Sequence, residues 1–321
     1  MHAPTRSRGI SRLLLVFALF LLSKSYAFSA PRPQQPPSPV SAIPELKVRA
    51  ESGDSSARLQ LRKFLVSADP ASSDYDLALS WLSSTASQNI PDAQLLLGYL
   101  YEHGKGLPRD FTRAAENYRA AALQGNPAAE NNLCTLYYLG KGVPQDAALA
   151  FQWCHAAAHH GNSAAQQNLG TLYFIGRGTP VDYDQAAKWF RAAADQGLAA
   201  GQNNLAYAYL KGNGVPQDFS QAAYWARLAA VQGHPRAAAL LGYLYENGRG
   251  LPLDYVSAYA WYSRAMTEGD NSNSDRLKSL SHLMTGSQLN KANALIGAQL
   301  HSSQPGAATA NSAALPDFLN P

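Results

Sequence analysis

The hydrophobic positions of the chain follow helical spacing over most of its length. Near residue 91 a segment begins in which Ala93, Leu97 and Tyr101 stand four residues apart and share one face of a helix. A polar segment with two glycines follows, and after it small residues mark the face of a second helix. The pattern predicts a helix–turn–helix unit, with helix A over about Pro91–His103 and helix B ending near Gln124.

The unit occurs five times, with a step of 36 residues and no insertion. Its leucine and tyrosine columns are Leu97, Leu133, Leu169, Leu205 and Leu241, and Tyr101, Tyr137, Tyr173, Tyr209 and Tyr245. All five tryptophans share another column, at Trp81, Trp153, Trp189, Trp225 and Trp261, so a degenerate unit precedes the regular ones. One unit cannot bury its apolar faces alone, whereas stacked units can. We therefore expect stacked helix pairs, with tryptophan filling the space between neighbouring units.

Each turn between helix A and helix B carries two glycines, a proline and an aspartate. The first glycine permits the left-handed conformation that ends helix A, and the aspartate is placed to cap helix B. We expect a structural role rather than phosphate binding, because the turn follows a helix and recurs in every unit with a proline inside it. The structural turn residues are Gly104, Gly106, Asp110, Gly140, Gly142, Asp146, Gly176, Gly178, Asp182, Gly212, Gly214, Asp218, Gly248, Gly250 and Asp254.

The first 30 residues have the pattern of a secretory signal peptide. They contain basic residues and no acidic one, a short apolar run from Leu13 to Leu22, and small residues around Ala27. We predict cleavage after Ala27, with cleavage after Ser29 or Ala30 as alternatives. The alternative is a membrane anchor through residues 13–22, although a transmembrane helix needs about 20 apolar residues. The predicted organisation is a signal peptide (1–27), a proline-rich linker (28–44), degenerate repeats (45–90), five regular repeats (91–270), capping helices (271–301) and a flexible tail (302–321).

Charge and composition exclude several classes of protein. The 321 residues include 26 basic and 22 acidic ones, and the four basic residues of the leader account for the whole excess. No electrostatic case for nucleic-acid binding remains. Two cysteines are too few for a disulfide-dense scaffold or a zinc finger. No motif of a serine hydrolase, a zinc protease or a P-loop occurs, so we expect no catalytic residue, metal site or cofactor.

The repeat resembles that of the Sel1-like family, a relative of the tetratricopeptide repeat. The resemblance rests on the leucine and glycine of helix A, the Gly-x-Gly-x-Pro-x-Asp turn, and the alanine and tryptophan of helix B. Departures are Asn117 in place of tryptophan, and Cys134 and Ala206 in place of the glycine at position 98. The resemblance implies an all-α, right-handed α/α solenoid of 36-residue helix–turn–helix repeats. It also implies protein–protein interaction and scaffolding, often in secreted or envelope proteins of bacteria.

The stripe of helix A opposite its buried leucines suggests a binding face. In the middle units it carries asparagines, which offer a donor and an acceptor to an extended backbone, with exposed aromatic residues beside them. In the related tetratricopeptide fold, asparagines on this face hold bound peptides. The candidate peptide-binding residues are Asn132, Asn168, Asn204, Tyr99, Tyr207, Tyr243, Tyr138 and Phe174. The alternative is that the asparagines bond a neighbouring helix or turn.

Two side-chain pairs in the second regular unit admit a chemical interpretation. Cys134 and Cys154 are a candidate disulfide in an oxidising compartment, or else two small buried thiols. Some secreted members of the family carry a disulfide in every repeat at another place, an arrangement that this sequence does not follow. His155 and His159 have the spacing to share a metal ion, but no third ligand is near in sequence, and we expect an exposed helix face there.

Together these features favour a secreted or periplasmic scaffold that binds a protein or peptide on its concave face. One alternative is a hydrolase that acts on cell-wall or β-lactam compounds, and another is a structural component of the envelope. The scaffold predicts an open groove with polar and aromatic side chains, whereas the enzyme predicts a closed pocket with a nucleophile and a base. We expect no nucleic-acid partner and no stable membrane span after signal cleavage.

Overall fold

Residues 42–302, which the computed structural model describes, form an all-helical solenoid. The predicted signal peptide, nearly all of the linker and the tail beyond residue 302 lie outside the described residues. The described part contains fifteen α-helices, one short 3₁₀ helix over Asn271–Asn273 and no strand. The α-helices are α1 (Ile43–Glu51), α2 (Ser55–Ser67), α3 (Ser73–Ser87), α4 (Pro91–His103), α5 (Phe111–Ala122), α6 (Pro127–Leu139), α7 (Ala147–His159), α8 (Ser163–Ile175), α9 (Tyr183–Asp195), α10 (Ala199–Lys211), α11 (Phe219–Val231), α12 (Pro235–Glu246), α13 (Tyr255–Thr267), α14 (Ser274–Leu283) and α15 (Gly286–Ser302).

Helices α4 to α13 form five hairpins, each with an A helix followed by a B helix. Each A helix packs on the B helix of its own unit, and from α6 onward also on the B helix of the preceding unit. The A helices α8 and α10 also touch each other. Alanines such as Ala114 and Ala121 are fully buried between the helices, where small side chains allow a close approach. The core therefore runs along the solenoid through contacts between neighbouring units.

The aspartate of each turn begins a B helix, and in four of the five units the first turn glycine ends the A helix, whereas Asn247 is the C-cap of α12. Gly104, Gly140, Gly176 and Gly212 end their A helices in the left-handed region, with φ between 65° and 74°. Each turn aspartate then caps the B helix. The carboxylate of Asp182, for example, accepts a hydrogen bond from the backbone N–H of Gln185 at 2.9 Å, and its own N–H donates to the carbonyl of Tyr173 at 3.0 Å. These paired bonds close every turn in the same way.

The second glycine of the turn lies against the backbone of the preceding unit. A Cβ added to Gly178 would lie 2.1 Å from the carbonyl oxygen of Ala147, the first residue of α7. A Cβ on Gly142 would lie 2.1 Å from the carbonyl oxygen of Phe111, at the start of α5. Because no side chain fits in either space, consecutive turns stack only where this residue is glycine.

In each unit, one residue of helix A also packs against the residue 20 positions later in helix B, and the sizes of the two side chains are complementary. In three units a glycine of helix A lies under an aromatic ring of helix B, and an added Cβ would come within 2.6–2.7 Å of that ring. In a fourth unit the two residues are cysteines joined in a disulfide bond, and in the fifth both are buried alanines. In chain order the columns hold Gly98 and Tyr118, Cys134 and Cys154, Gly170 and Phe190, Ala206 and Ala226, and Gly242 and Tyr262.

The tryptophan column is not the uniform filler between units that the pattern predicts. Three of its members are buried, but Trp153 and Trp189 are only half-buried. The ring of Trp189 meets that of His159 edge-on, with 4.9 Å between centroids. The prediction of uniform burial is wrong for these two residues. The position after the tryptophan is buried throughout the column, as at Cys154 and Phe190, whether or not the tryptophan itself is buried.

The N-terminal helices close one end of the solenoid. α1, α2 and α3 share an apolar cluster with α4 that includes Leu61, Tyr75 and Trp81. The unit formed by α2 and α3 lacks both turn glycines, and its B helix begins two residues early. Ser72, rather than Asp74 in the register of the turn aspartates, accepts the capping bond from the backbone N–H of Tyr75.

The helices α14 and α15 close the other end. Leu280 and Ala292 join Tyr262 of α13 in a separate apolar cluster. Thr285 and Gln288 form a capping box at the start of α15. The N–H of Thr285 donates to Gln288 Oε1 at 2.8 Å, and the N–H of Gln288 donates to Thr285 Oγ1 at 3.3 Å.

Candidate partner-binding groove

The last turns of three successive A helices line a groove of about 810 Å³. α8 contributes Phe174, α10 contributes Tyr207, and α12 contributes Tyr243. The residues around Ser272 and Asn273, where α13 gives way to α14, line it at the C-terminal side. We call this cavity the A-helix groove. It brings together three of the predicted binding residues, one from each of three consecutive repeats.

The three aromatic side chains are half-buried, so part of each ring faces the groove. Phe174 is held edge-on by Tyr183, with 5.1 Å between ring centroids. The hydroxyl of Tyr243 accepts a hydrogen bond from the Arg249 guanidinium at 2.7 Å. Rings that are fixed in this way offer contact area to a ligand without losing much rotational freedom.

Basic side chains outnumber acidic ones in the lining, which contains Lys211, Arg249, Arg276 and Asp270. Arg276 contacts both carboxylate oxygens of Glu246, at 2.9 and 3.0 Å.

Glu246 in turn perturbs a buried tyrosine beside the groove. The hydroxyl of Tyr262 donates to the same carboxylate at 2.7 Å. Burial first, and then this hydrogen bond, raises the pKa of the Tyr262 hydroxyl far above its usual value. The phenol therefore stays a neutral donor, which together with Arg276 satisfies Glu246.

A row of basic residues runs along the turns from which the groove is built. The residue between the two turn glycines is basic in four of five units, at Lys105, Lys141, Arg177 and Arg249, and Asn213 interrupts the row. Several of these cations rest on aromatic rings: Lys141 is 5.5 Å from the ring centroid of Phe111, Arg177 is 4.4 Å from that of Tyr138, and Arg249 is 5.4 Å from that of Phe219. Reasoning from sequence missed this row, although its signal was present in the turn motif.

The remaining predicted aromatic residues do not reach the groove. Tyr99 is half-buried near the N-terminal end and stacks on His103, with 4.1 Å between ring centroids. Tyr138 is only 3% exposed, so the expectation of an exposed ring is wrong there. The cause is the apolar cluster around Tyr138 and the guanidinium of Arg177, which covers its ring.

Two of the three predicted asparagines lie inside the solenoid rather than along an open surface. Asn168 and Asn204 are at most 1% exposed, and Asn132 is half-buried. Asn168 Nδ2 donates to Asn131 Oδ1 of the preceding A helix at 2.9 Å. The prediction of exposed amides is wrong for Asn168 and Asn204, because neighbouring A helices approach closely enough to bury them. The alternative, in which asparagine bonds a neighbouring helix, describes Asn168.

No metal centre or membrane span emerges from the described part of the chain. His155 and His159 lie with their ring centroids 4.0 Å apart, and no group of three or more metal-ligating side chains occurs among the described residues. Partial burial, and then the nearby His159, lowers the pKa of His155. Across residues 42–302 no helix combines the length and the apolar character needed to cross a bilayer.

Comparison with known families identifies the repeat. A family model described as the Sel1 repeat matches residues 68–90, 91–126, 127–162, 163–198, 199–234 and 235–270. The chitin synthase regulator SKT5 of Saccharomyces cerevisiae is 43% identical over 75 residues, which make up 23% of this chain and 11% of that protein. The likeness to the yeast protein is thus confined to about a tenth of its length.

Solved structures of similar chains have the same fold. A protective antigen of uropathogenic Escherichia coli strains with an SLR fold is 32% identical, with a TM-score of 0.69. The match covers 81% of this chain and 56% of that one, so this chain spans about half of the antigen. A Sel1 repeat protein from Oxalobacter formigenes is 27% identical with a TM-score of 0.65, and the match covers 77% of this chain and 96% of that one.

Proposed function

The chain belongs to the Sel1 repeat family, and from this premise we propose that it is a scaffold whose A-helix groove holds an extended segment of a partner protein. Sel1 repeat proteins are generally protein–protein interaction scaffolds and are typically non-enzymatic. The observation that carries the proposal is the placement of Phe174, Tyr207 and Tyr243, one per repeat, along a single groove.

The spacing of these rings suits an extended chain. Packed helices lie about 8–10 Å apart, and an extended peptide advances about 3.3 Å per residue. Successive rings of the groove would therefore contact about every third residue of a bound segment. Tyrosine and phenylalanine are effective anchors for such a segment, because they bury a large area at little cost in conformational entropy.

The groove can be tested with matched tyrosine substitutions. Tyr207→Ala combined with Tyr243→Ala should weaken capture of protein from an envelope extract by more than about tenfold, as expected when two anchor side chains are lost. Tyr224→Ala is the control, because Tyr224 is 54% exposed on α11 and lies outside the groove. The control should retain the full set of captured proteins. Capture that is equal in both variants, at unchanged melting temperatures, would reject the groove as the binding site.

We also propose that the protein works outside the cytosol, either secreted or periplasmic. Two observations support export: the pattern of a signal peptide in residues 1–27, and the disulfide between Cys134 and Cys154, a bond typical of oxidising compartments. Protein recovered from the periplasm of an expressing bacterium should begin after Ala27 and contain no free thiol. Reduction should lower its free energy of unfolding by about 3 kcal/mol, since the bond closes a loop of 20 residues. Two titratable thiols, or an uncleaved chain in the membrane fraction, would contradict this proposal.

A further inference from the structure

We propose that the A-helix groove selects an acidic segment of the partner, in which carboxylates alternate with the residues that contact the aromatic rings. This inference rests on the proposed function and specifies the chemistry of the bound segment. Its basis is the charge of the groove and the state of each charged group around it.

The helices that form the middle of the groove contain no acidic residue. Neither α8 nor α10 carries an aspartate or a glutamate, and α10 ends in Lys211. An incoming carboxylate therefore meets no like charge from these two helices.

The two carboxylates at the C-terminal side already have donors. Asp270 accepts hydrogen bonds from the backbone N–H of Ser272 at 3.0 Å and from its hydroxyl at 2.5 Å. Glu246 is satisfied by Arg276 and Tyr262, as described above. The charge of Arg276 offsets that of Glu246, whereas Asp270 keeps its negative charge. Lys211 and Arg249 therefore leave the groove with a net positive charge.

Two cations of the groove, Lys211 and Arg249, have N–H groups that are available to bind a carboxylate. Lys211 is exposed and takes part in no ion pair within residues 42–302. Arg249 uses one guanidinium nitrogen to bond the Tyr243 hydroxyl, and its remaining N–H groups can bind a carboxylate. The ring of Tyr243 also lies 5.6 Å from the guanidinium carbon. A carboxylate bound at Arg249 would thus stand beside one of the three aromatic contacts.

The row of turn cations continues this pattern beyond the groove. Arg177 and Lys141 stand one and two repeats before the position of Asn213, and Lys211 supplies a charge close to the place where Asn213 interrupts the row. One cation per repeat matches one ring per repeat. We therefore expect acidic residues at about every third position of the bound segment, offset from the residues that contact the rings.

Selection from a library tests the charge preference directly. The full-length mature chain would be used to select from a displayed library of random twelve-residue peptides. Parallel selections would use Lys211→Gln with Arg249→Gln as the charge variant, and Tyr207→Ala with Tyr243→Ala as the groove variant. Lys188→Gln is the matched control, because Lys188 is an exposed lysine on α9, which does not line the groove.

We expect the unmodified chain and the Lys188→Gln control to enrich the same peptides, rich in aspartate and glutamate. These peptides should bind the charge variant about tenfold more weakly, and raising the salt concentration should remove most of that difference. If the enriched peptides are neutral or basic but still fail to bind the groove variant, the charge preference is wrong and the proposed function stands. If the groove variant enriches the same peptides to the same extent as the unmodified chain, both the charge preference and the proposed function are wrong.

Discussion

At the scale of single residues, the size of one side chain is set by its partner on the facing helix. Phe190 can be an aromatic residue because Gly170 leaves space for its ring, and the same holds for Tyr118 and Gly98. Where the B helix carries a small residue, as at Ala226, the A helix carries alanine at position 206. Interiors are packed too tightly for either residue to change alone without loss of stability.

A double-mutant cycle at Gly170 and Phe190 tests this coupling. Gly170→Ala should lower the free energy of unfolding by about 1–3 kcal/mol, because the added Cβ would lie 2.6 Å from the Phe190 ring. Phe190→Ala should cost about 3–5 kcal/mol through the cavity that it leaves. The double variant reproduces the pair found at Ala206 and Ala226, so it should cost less than the sum by at least about 1 kcal/mol.

The control for this cycle is Gly297→Ala, measured by the same denaturant titrations. No atom lies within 4 Å of a Cβ at this helical position, so the substitution should be neutral or slightly stabilising. Strict additivity of the two single changes in the cycle would show that the paired columns do not act together.

The sequence predicts the role of a residue well when that role depends on its own helix or turn. It does not predict burial or size that depends on a second residue in another helix. The tryptophans stood out because they are rare and aligned, yet two of them are half-buried. The pairing of positions 20 residues apart becomes visible only when the two columns are read side by side. The burial of Asn168 and Asn204 depends on how closely neighbouring A helices approach, which spacing along one helix does not determine.

At the scale of helices and turns, boundaries follow from the local chemistry of caps. The helix predicted over Pro91–His103 has these limits in the structure, because a proline begins it and Gly104 ends it. The early start of α3 at Ser73 arises where the turn has lost its glycines and Ser72 acts as the cap instead. Local signals were therefore sufficient for elements that carry the full turn motif.

Gly161 and Gly178 have similar backbone conformations but different surroundings. Substituting each in turn distinguishes the cost of backbone strain from the cost of disrupted stacking between units. Gly161 has φ +83° with nothing within 4 Å of an added Cβ, so Gly161→Ala should cost about 1–2 kcal/mol, the strain of the left-handed conformation. Gly178 has φ +76° and would also place its Cβ 2.1 Å from the Ala147 carbonyl oxygen. Gly178→Ala should cost at least about 2 kcal/mol more, because two units must move apart. Equal shifts in thermal unfolding would show that the turns bear on each other only weakly.

At the scale of the whole molecule, a stack of repeats needs closed ends. The last regular unit has an apolar face at Ala258 and Tyr262, and Leu280 of α14 and Ala292 of α15 bury it. A terminal repeat with an uncovered face would favour association between chains. The capping box at Thr285 and Gln288 was predicted from the sequence, and capping by residues 271–301 stays a prediction. The groove was not predicted, because one side of it depends on where the residues after α13 place Ser272, Asn273 and Arg276.

Two leucines of α14 test this closure. Leu280 is 1% exposed, so Leu280→Ala should cost about 2–5 kcal/mol and promote association that light scattering detects. Leu283 is 67% exposed in the same helix, and Leu283→Ala should change stability by less than about 0.5 kcal/mol. An equal response of the two variants would mean that α14 does not seal the solenoid.

The position of the disulfide has a mechanical consequence. Cys134 and Cys154 lie in the two helices of a single unit, so their bond stiffens one hairpin and ties no unit to the next. Among the described residues, neighbouring units are joined by packing, hydrogen bonds, ion pairs and cation–ring contacts, and by no covalent bond besides the chain itself. Oxidation therefore adds a covalent constraint within the hairpin of α6 and α7, and none across the joints between the later repeats that line the groove.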